Sequence, residues 1–366
     1  MNWSLRVGRL LGIPLYIHWT FAILLGWILF ARMSAGATFL EALGTIGFVL
    51  ALFGCVILHE LGHAVAARGF GVPTRDITLL PIGGLARLER MPEEPTQELV
   101  IAIAGPLVNV VIAAGLLGAK LALGGLGSLT PVELIGGHWL DQLLYINIAL
   151  VLFNMLPAFP MDGGRALRAI LATKLDYVNA TRVAANLGIA MAVLFGLAGL
   201  MINPLLIFIA LFVGLGAQAE ARHVEVRSLV QGTPVRDAMV RRVRTLSPQT
   251  TLGEAAEALL EGAQQDFPIT EDGEVVGMLI RADLIRGLST AGPKTPVSEL
   301  MRREFDSARE SDMLDGAMTR MRSGEATALP VLRGRDLVGM ITMENVGEWM
   351  MIRSAQKRRR QRGGAV

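Results

Sequence analysis

Between Glu41 and His59 the chain runs for 17 residues without a charge and then reads His59-Glu60-Leu61-Gly62-His63. Backbone polar groups in lipid must pair within their own segment, so a lone apolar run of this length is built as a helix. The helix expected over residues 43–67 carries three ionisable side chains to membrane depth, where such groups are expensive and mark function. Four residues apart on a helix, His59 and His63 stack on one face and can reach one metal ion. Glu60, beside the first of them, is the expected general base toward a metal-activated water. The bland alternative is a chance motif, or a polar cluster satisfied between helices. Three ionisable groups within five residues argue against it.

Composition agrees with a membrane protein: 52% of the 366 residues are hydrophobic and the mean hydropathy is +0.49. The length allows two or three domains. A net charge of +2 decides nothing. The single cysteine, Cys55, excludes an intrachain disulfide. It lies one turn before His59 and is read as a small buried apolar residue, since a thiolate would crowd a site that needs an open position.

Arg6 and Arg9 precede an apolar run over residues 13–31, read as a first spanning helix that contains His18 and Trp19. The alternative is a cleaved signal peptide ending near Ala35-Gly36-Ala37. Residues 68–98 hold Asp76-Ile77-Thr78-Leu79-Leu80 and Leu85-Ala86-Arg87-Leu88, with Gly83-Gly84 between them, a small hairpin on the membrane. An exposed strand edge there would suit an unwound peptide; an amphipathic surface loop is the plainer reading. Glu98 and Lys120 bracket a third run with Gly105-Pro106-Leu107-Val108-Asn109, in which Asn109 should face the bundle. A Gly-rich loop follows at 121–137.

The fourth run, between Asp141 and Asp162, closes with Asn154, Pro157 and Pro160. Two prolines three residues apart unwind the helix, which at membrane depth is tolerated only inside protein or against a wet cavity. Asp162 is then the oxygen donor available as a third metal ligand. Residues 183–219 carry no charge and exceed one crossing, and Asn203-Pro204 divides them into two helices, for six spans in all. Arginines gather on one side of these spans, which puts both termini in the cytosol and makes Arg165 and Arg168 headgroup anchors.

Beyond Arg222 the composition turns soluble and repeats itself at an offset of 62: Thr233-Pro234-Val235 with Thr295-Pro296-Val297, Phe267-Pro268-Ile269 with Leu329-Pro330-Val331, Gly277-Met278 with Gly339-Met340. Each unit reads as helix, strand pair with a turn such as Asp272-Gly273, then helix. The chain closes on a basic run, Lys357-Arg358-Arg359-Arg360-Gln361-Arg362. It is read as a disordered solvated end, with attraction to anionic lipid as the alternative.

The order His59-Glu60-x-x-His63, Gly105-Pro106-x-x-Asn109, Asn154-x-x-Pro157-x-x-Pro160-x-Asp162-Gly163 resembles the site-2 protease family of intramembrane metalloproteases over residues 14–219. The C-terminal repeat is similar to a pair of cystathionine-β-synthase (CBS) modules. The resemblance implies one zinc held by His59, His63 and Asp162, a water activated by Glu60, and Asn154 positioning the substrate carbonyl or its oxyanion. Two imidazoles and a carboxylate leave a fourth tetrahedral position open, the pattern of catalytic zinc. A side-chain amide such as that of Asn154 can donate to a developing oxyanion, or simply cap the broken helix. In the modules, a hydroxyl and an acid commonly contact nucleotide phosphate and ribose. The first copy has Ile280 and Asp283 at those positions, the second Thr342 and Asn345, so neither is complete. One composite adenine-nucleotide site and simple homodimerisation are the two readings.

The expected fold is an α-helical polytopic membrane protein, six transmembrane helices with a small membrane-associated β element, followed by an α/β CBS pair. Its parts are a protease domain at 1–221, modules at 222–290 and 291–353, and a basic tail at 354–366. The expected activity is regulated intramembrane proteolysis in a prokaryotic plasma membrane, releasing a membrane-tethered regulator such as an anti-sigma factor. The partners are a transmembrane protein substrate and lipid, without nucleic acid. The rival is a CBS-gated transporter or channel, which would need polar residues repeated across pseudo-symmetric halves. A third alternative is an inactive scaffold, which the complete ligand set disfavours.

Overall fold

The computed structural model describes residues 4–81, 83–89, 92–122, 139–323 and 328–363, with side chains as far as 356. From residue 123 the Gly-rich loop lies outside the described residues, as do the side chains of the basic run at 357–362. The chain divides into two compact units, Met1–Val224 and Glu225–Val366.

The first unit opens with two strands, the second of them where the start of a helix was expected. Strands β1 (Ser4–Leu10) and β2 (Ile13–His18) pair antiparallel around Leu11 and Gly12. These two sit at φ 49° and 86°, the left-handed geometry whose twist suits a two-residue hairpin. Residues 13–18 are therefore strand, because β2 also pairs in parallel with β3 (Thr74–Leu80) far along the chain. Helix α1 (Trp19–Ser34) starts only after His18, whose ring accepts from the backbone N–H of Thr20 as its cap. The expected hairpin is present, but its turn is not at Gly83-Gly84. Strand β3 pairs antiparallel with β4 (Gly83–Leu88), Leu80 opposite Gly83 and Leu79 opposite Gly84, so both glycines are strand and the turn falls before them. The sheet order is β1-β2-β3-β4.

Helix α2 (Phe39–Gly69) begins at a capping box between Thr38 and Glu41 and runs 31 residues. Helix α3 (Pro95–Ala122) contains Pro106. Helix α4 (Trp139–Asn154) stops ahead of Pro157 and Pro160, and the chain stays irregular until α5 (Asp162–Ala172). Helices α6 (Tyr177–Met201) and α7 (Leu205–Val230) are separated at Asn203-Pro204, where Asn203 Oδ1 accepts from the Leu205 N–H. Among the described residues four helices, α2, α3, α6 and α7, are long and apolar enough to cross a membrane. At 16 residues each, α1 and α4 span about 24 Å, against roughly 30 Å of hydrocarbon. The strand at 13–18 shortens the one and the two prolines shorten the other.

The second unit is α/β. A five-stranded sheet has the order β5-β6-β9-β8-β7, from β5 (Phe267–Glu271), β6 (Glu274–Leu279), β7 (Ala308–Arg309), β8 (Ala328–Arg333) and β9 (Asp336–Thr342). Helices α8 (Leu252–Glu261), α9 (Arg281–Thr290) and α10 (Leu314–Ser323) pack with it. Asp272 and Gly273 make the expected tight turn at φ 51° and 87°. Helix α11 (Met343–Gly363) continues through the stretch expected to be disordered.

Candidate metal and catalytic site

On α2, one helical turn brings His59 and His63 to the same buried face, each 6% exposed. Their Nε2 atoms stand 3.1 Å apart. Asp162, the first residue of α5, places Oδ2 at 3.1 Å from His63 Nε2 and 3.2 Å from His59 Nε2. Small residues make this convergence possible. A Cβ on Gly105 of α3 would fall inside the His63 ring, and one on Gly62 would press 2.7 Å from the Ala104 carbonyl oxygen. On the other wall, Gly163 and Gly164 lie against the backbone of residues 155–159, so the turn that delivers Asp162 admits no side chain there.

The remaining ring nitrogens fix the chemistry. His63 Nδ1 donates to the Ile101 carbonyl at 2.7 Å, and His59 Nδ1 donates to Asn109 Oδ1 at 2.5 Å. A neutral imidazole with its proton on Nδ1 keeps a bare lone pair on Nε2. Two such lone pairs and a carboxylate oxygen therefore face one another with no proton required between them, an arrangement that a cation relieves. The three donor atoms lie within 4.8 Å of one another, and His2Asp with an open position is the donor set of catalytic zinc. The outer hydrogen bonds are of the kind that orient ligating histidines.

Glu60 is half-buried beside His59, and its Oε2 accepts from the Ala86 N–H of β4 at 3.1 Å. Strand β4 is an edge of its sheet, and Gly84 lets it lie directly on the Glu60 side chain. Arg75, Arg87 and Arg165 line a cleft of about 730 Å³ along the same strand. Asn154 ends α4, eight residues before Asp162, and its amide makes no capping bond among the described residues.

The profile of Peptidase family M50 matches residues 47–134 and 132–195, and that of the CBS domain matches 235–290 and 297–351. The zinc metalloprotease MJ0392 of Methanocaldococcus jannaschii is 38% identical over 280 residues, 76% of this chain and 78% of its own. The chain belongs to peptidase family M50. Stage IV sporulation protein FB of Bacillus subtilis is 29% identical over 51% of this chain and 64% of its own length. A solved site-2 protease from M. jannaschii is 40% identical, covering 60% of this chain and 96% of its own, with a TM-score of 0.44. As an M50 peptidase with four helices long and apolar enough to cross a membrane among the described residues, the protein is an intramembrane metalloprotease, which sets aside the transporter.

The partners of three buried residues escaped the sequence. Asn109 touches His59 itself, and Asn147 of α4 stands behind Asn109, both fully buried. A lone Asn in an apolar run was the available signal. Arg168 is no headgroup anchor. It is 1% exposed and donates to Glu98 at 2.5 and 2.8 Å and to Glu220 at 2.6 Å, with its guanidinium against the rings of Phe159 and Tyr177. Two carboxylates from α3 and α7 supply what the headgroups were expected to supply. His18 and Trp19 sit at a strand end and a helix start, with the His18 ring bonded to Thr20, and Cys55 is buried as expected.

Proposed function

We propose that the protein is a zinc endopeptidase that cuts a peptide bond in or beside a transmembrane segment of a membrane-tethered regulatory protein. The observation that carries this reading is the pair of imidazoles whose Nδ1 protons are committed elsewhere while their Nε2 atoms and Asp162 Oδ2 converge at 3.1–3.2 Å. His59, His63 and Asp162 hold the zinc. Bound zinc supplies Lewis acidity and lowers the pKa of a water toward about 7. Glu60 accepts the proton of the attacking water and returns it to the leaving amine. Asn154 donates its amide to the oxyanion of the substrate. An unwound substrate segment lies along the β4 edge, where main-chain hydrogen bonds hold it without regard to sequence.

In this reading the first unit crosses a prokaryotic plasma membrane six times, α1 and α4 as short crossings, with both termini cytosolic. The distribution of arginine supports that orientation. The CBS pair is the regulatory unit. Asp283, one residue of the composite nucleotide site, already accepts from Arg286 and from Arg302 at 2.7 Å. Thr342, the other, is bonded to Asn345 at 2.6 Å. An adenine nucleotide would have to displace those partners; dimerisation through the modules is the second reading.

The deciding experiment is reconstitution of purified protein in vesicles with a single-span substrate. Cleavage should stop on chelation and return with zinc. Glu60→Gln should lower the rate by about 10²–10⁴-fold while one zinc per chain stays bound. Cleavage at the wild-type rate by Glu60→Gln removes the base, and cleavage indifferent to chelation removes the metal.

A further inference from the structure

The two histidines reach the same protonation pattern by different routes. His63 Nδ1 meets a backbone carbonyl directly, that of Ile101. A carbonyl can only accept, so the ring must donate, and its tautomer is fixed by the main chain. His59 Nδ1 instead meets the side-chain amide of Asn109. An amide presents either an acceptor oxygen or a donor nitrogen, and by a simple flip Asn109 could offer its NH2 and demand the proton on the other ring nitrogen. Something must set its direction.

Asn147 does so. Its Nδ2 donates to the Leu143 carbonyl one turn earlier on α4 at 2.8 Å, with a longer approach of 3.5 Å to Cys55 Sγ. Because that carbonyl cannot donate, the Asn147 amide is fixed with nitrogen toward Leu143 and oxygen toward Asn109. Asn109 Nδ2 must then face that oxygen, at 2.8 Å, and Asn109 Oδ1 must face His59. Both asparagines are 0% exposed, so no solvent competes along the relay. We infer that Asn147 is a positioning residue of the metal site. It touches neither metal nor substrate, but transmits the polarity of a backbone carbonyl through Asn109 and leaves the His59 Nε2 lone pair bare for the ion. The inference rests on the assignment of His59 as a ligand, and extends it to a residue outside every motif in the sequence.

The competing role is plain interhelical glue, a buried amide holding α3 to α4. Two nearly isosteric variants separate the roles. Asn147→Leu deletes the relay. Asn147→Asp keeps an oxygen acceptor toward Asn109 in either protonation state, so it keeps the direction while still perturbing the packing. The measurement is zinc affinity of the full-length, chelator-stripped protein in detergent, by competition with a chromophoric chelator, alongside the melting temperature of the metal-free form. Asn147→Leu should weaken zinc by about 10–100-fold, and Asn147→Asp should keep most of the affinity, although both lower the melting temperature. Asn147→Ala replaces Asn147→Leu if the latter does not accumulate. Wild-type affinity in the relay-deleted protein, or equal losses in both variants, overturns the inference and leaves the metal site standing. A wild-type protein that takes up no zinc overturns both.

Discussion

The two units of this protein are built inside out with respect to each other. In the second, large side chains are hidden: Leu252, Phe267, Ile269, Leu279 and Leu284 are all completely buried in one core. In the first, many buried positions go to alanine, such as Ala158, Ala184, Ala185 and Ala217, with Phe21, Ile101 and Phe159 among the larger side chains buried beside them, while Phe30, Leu194, Met201 and Phe208 are 65–86% exposed. Polar groups follow the same inversion. Among the described residues, ten of the buried polar or charged side chains, including His59, Asp162, Glu98 and Arg168, belong to the first unit, and two, Asp266 and Asp283, to the second. The surroundings explain the difference. Against water, burying a large apolar side chain stabilises by roughly 1.5–3 kcal/mol. Against lipid the same burial yields little, so helices gain by close backbone approach and by hydrogen bonds between them. A membrane unit thus has an interior in which chemistry can be placed.

The largest effect that tests this contrast comes from adding one methyl group to that interior. Gly105→Ala should displace His63, with loss of zinc in chelator competition and a fall in proteolysis of about 100-fold or more. Wild-type zinc binding in that variant would mean that close approach is not what forms the site. Next comes one deletion made in both units. Leu284→Ala, in the second core, should cost about 2–5 kcal/mol, read as faster amide exchange in β5 and β6. Smallest is Leu194→Ala on the outer face of α6, where Leu194 is 65% exposed. It should move the melting temperature of the protein in bicelles by the equivalent of about 0.5 kcal/mol or less. Equal costs for the two leucines would break the inside-out description.

Much of the site could be read from residue types and spacing alone. His59, Glu60 and His63 are neighbours on one helix, and helical periodicity is local, so their shared face follows from the sequence. Asp162 lies 99 residues beyond His63, yet the prolines before it announced a broken helix, and a carboxylate at such a break has few plausible uses. The repeat after Arg222 and the existence of the β3–β4 hairpin were equally open, because offsets and strand-like alternation are written along the chain, although its turn lies before Gly83-Gly84 and both glycines are strand. The first strands were not. Residues 13–18 are apolar enough to continue into α1, and only the parallel pairing of β2 with β3 makes them strand. Arg168 misled for a related reason: a cation near a helix end pairs with headgroups or with distant carboxylates, and local sequence is identical in the two cases.

The sequence by itself determined that this chain lives partly in lipid, that it holds an H-E-x-x-H pair with a carboxylate behind a proline break, and that two similar modules follow. These are matters of period, composition and spacing, each enforced within a few turns of backbone. Only the tertiary structure decided which way each buried polar atom faces: that Ile101 and Asn109 take the Nδ1 protons, that Asn147 orients Asn109, that Arg168 finds Glu98 and Glu220, and that β4 lies on Glu60. Those choices belong to pairs of groups far apart in the chain. Their direction is set by the simple asymmetry that a carbonyl accepts and an N–H donates, which acts only once the helices have met.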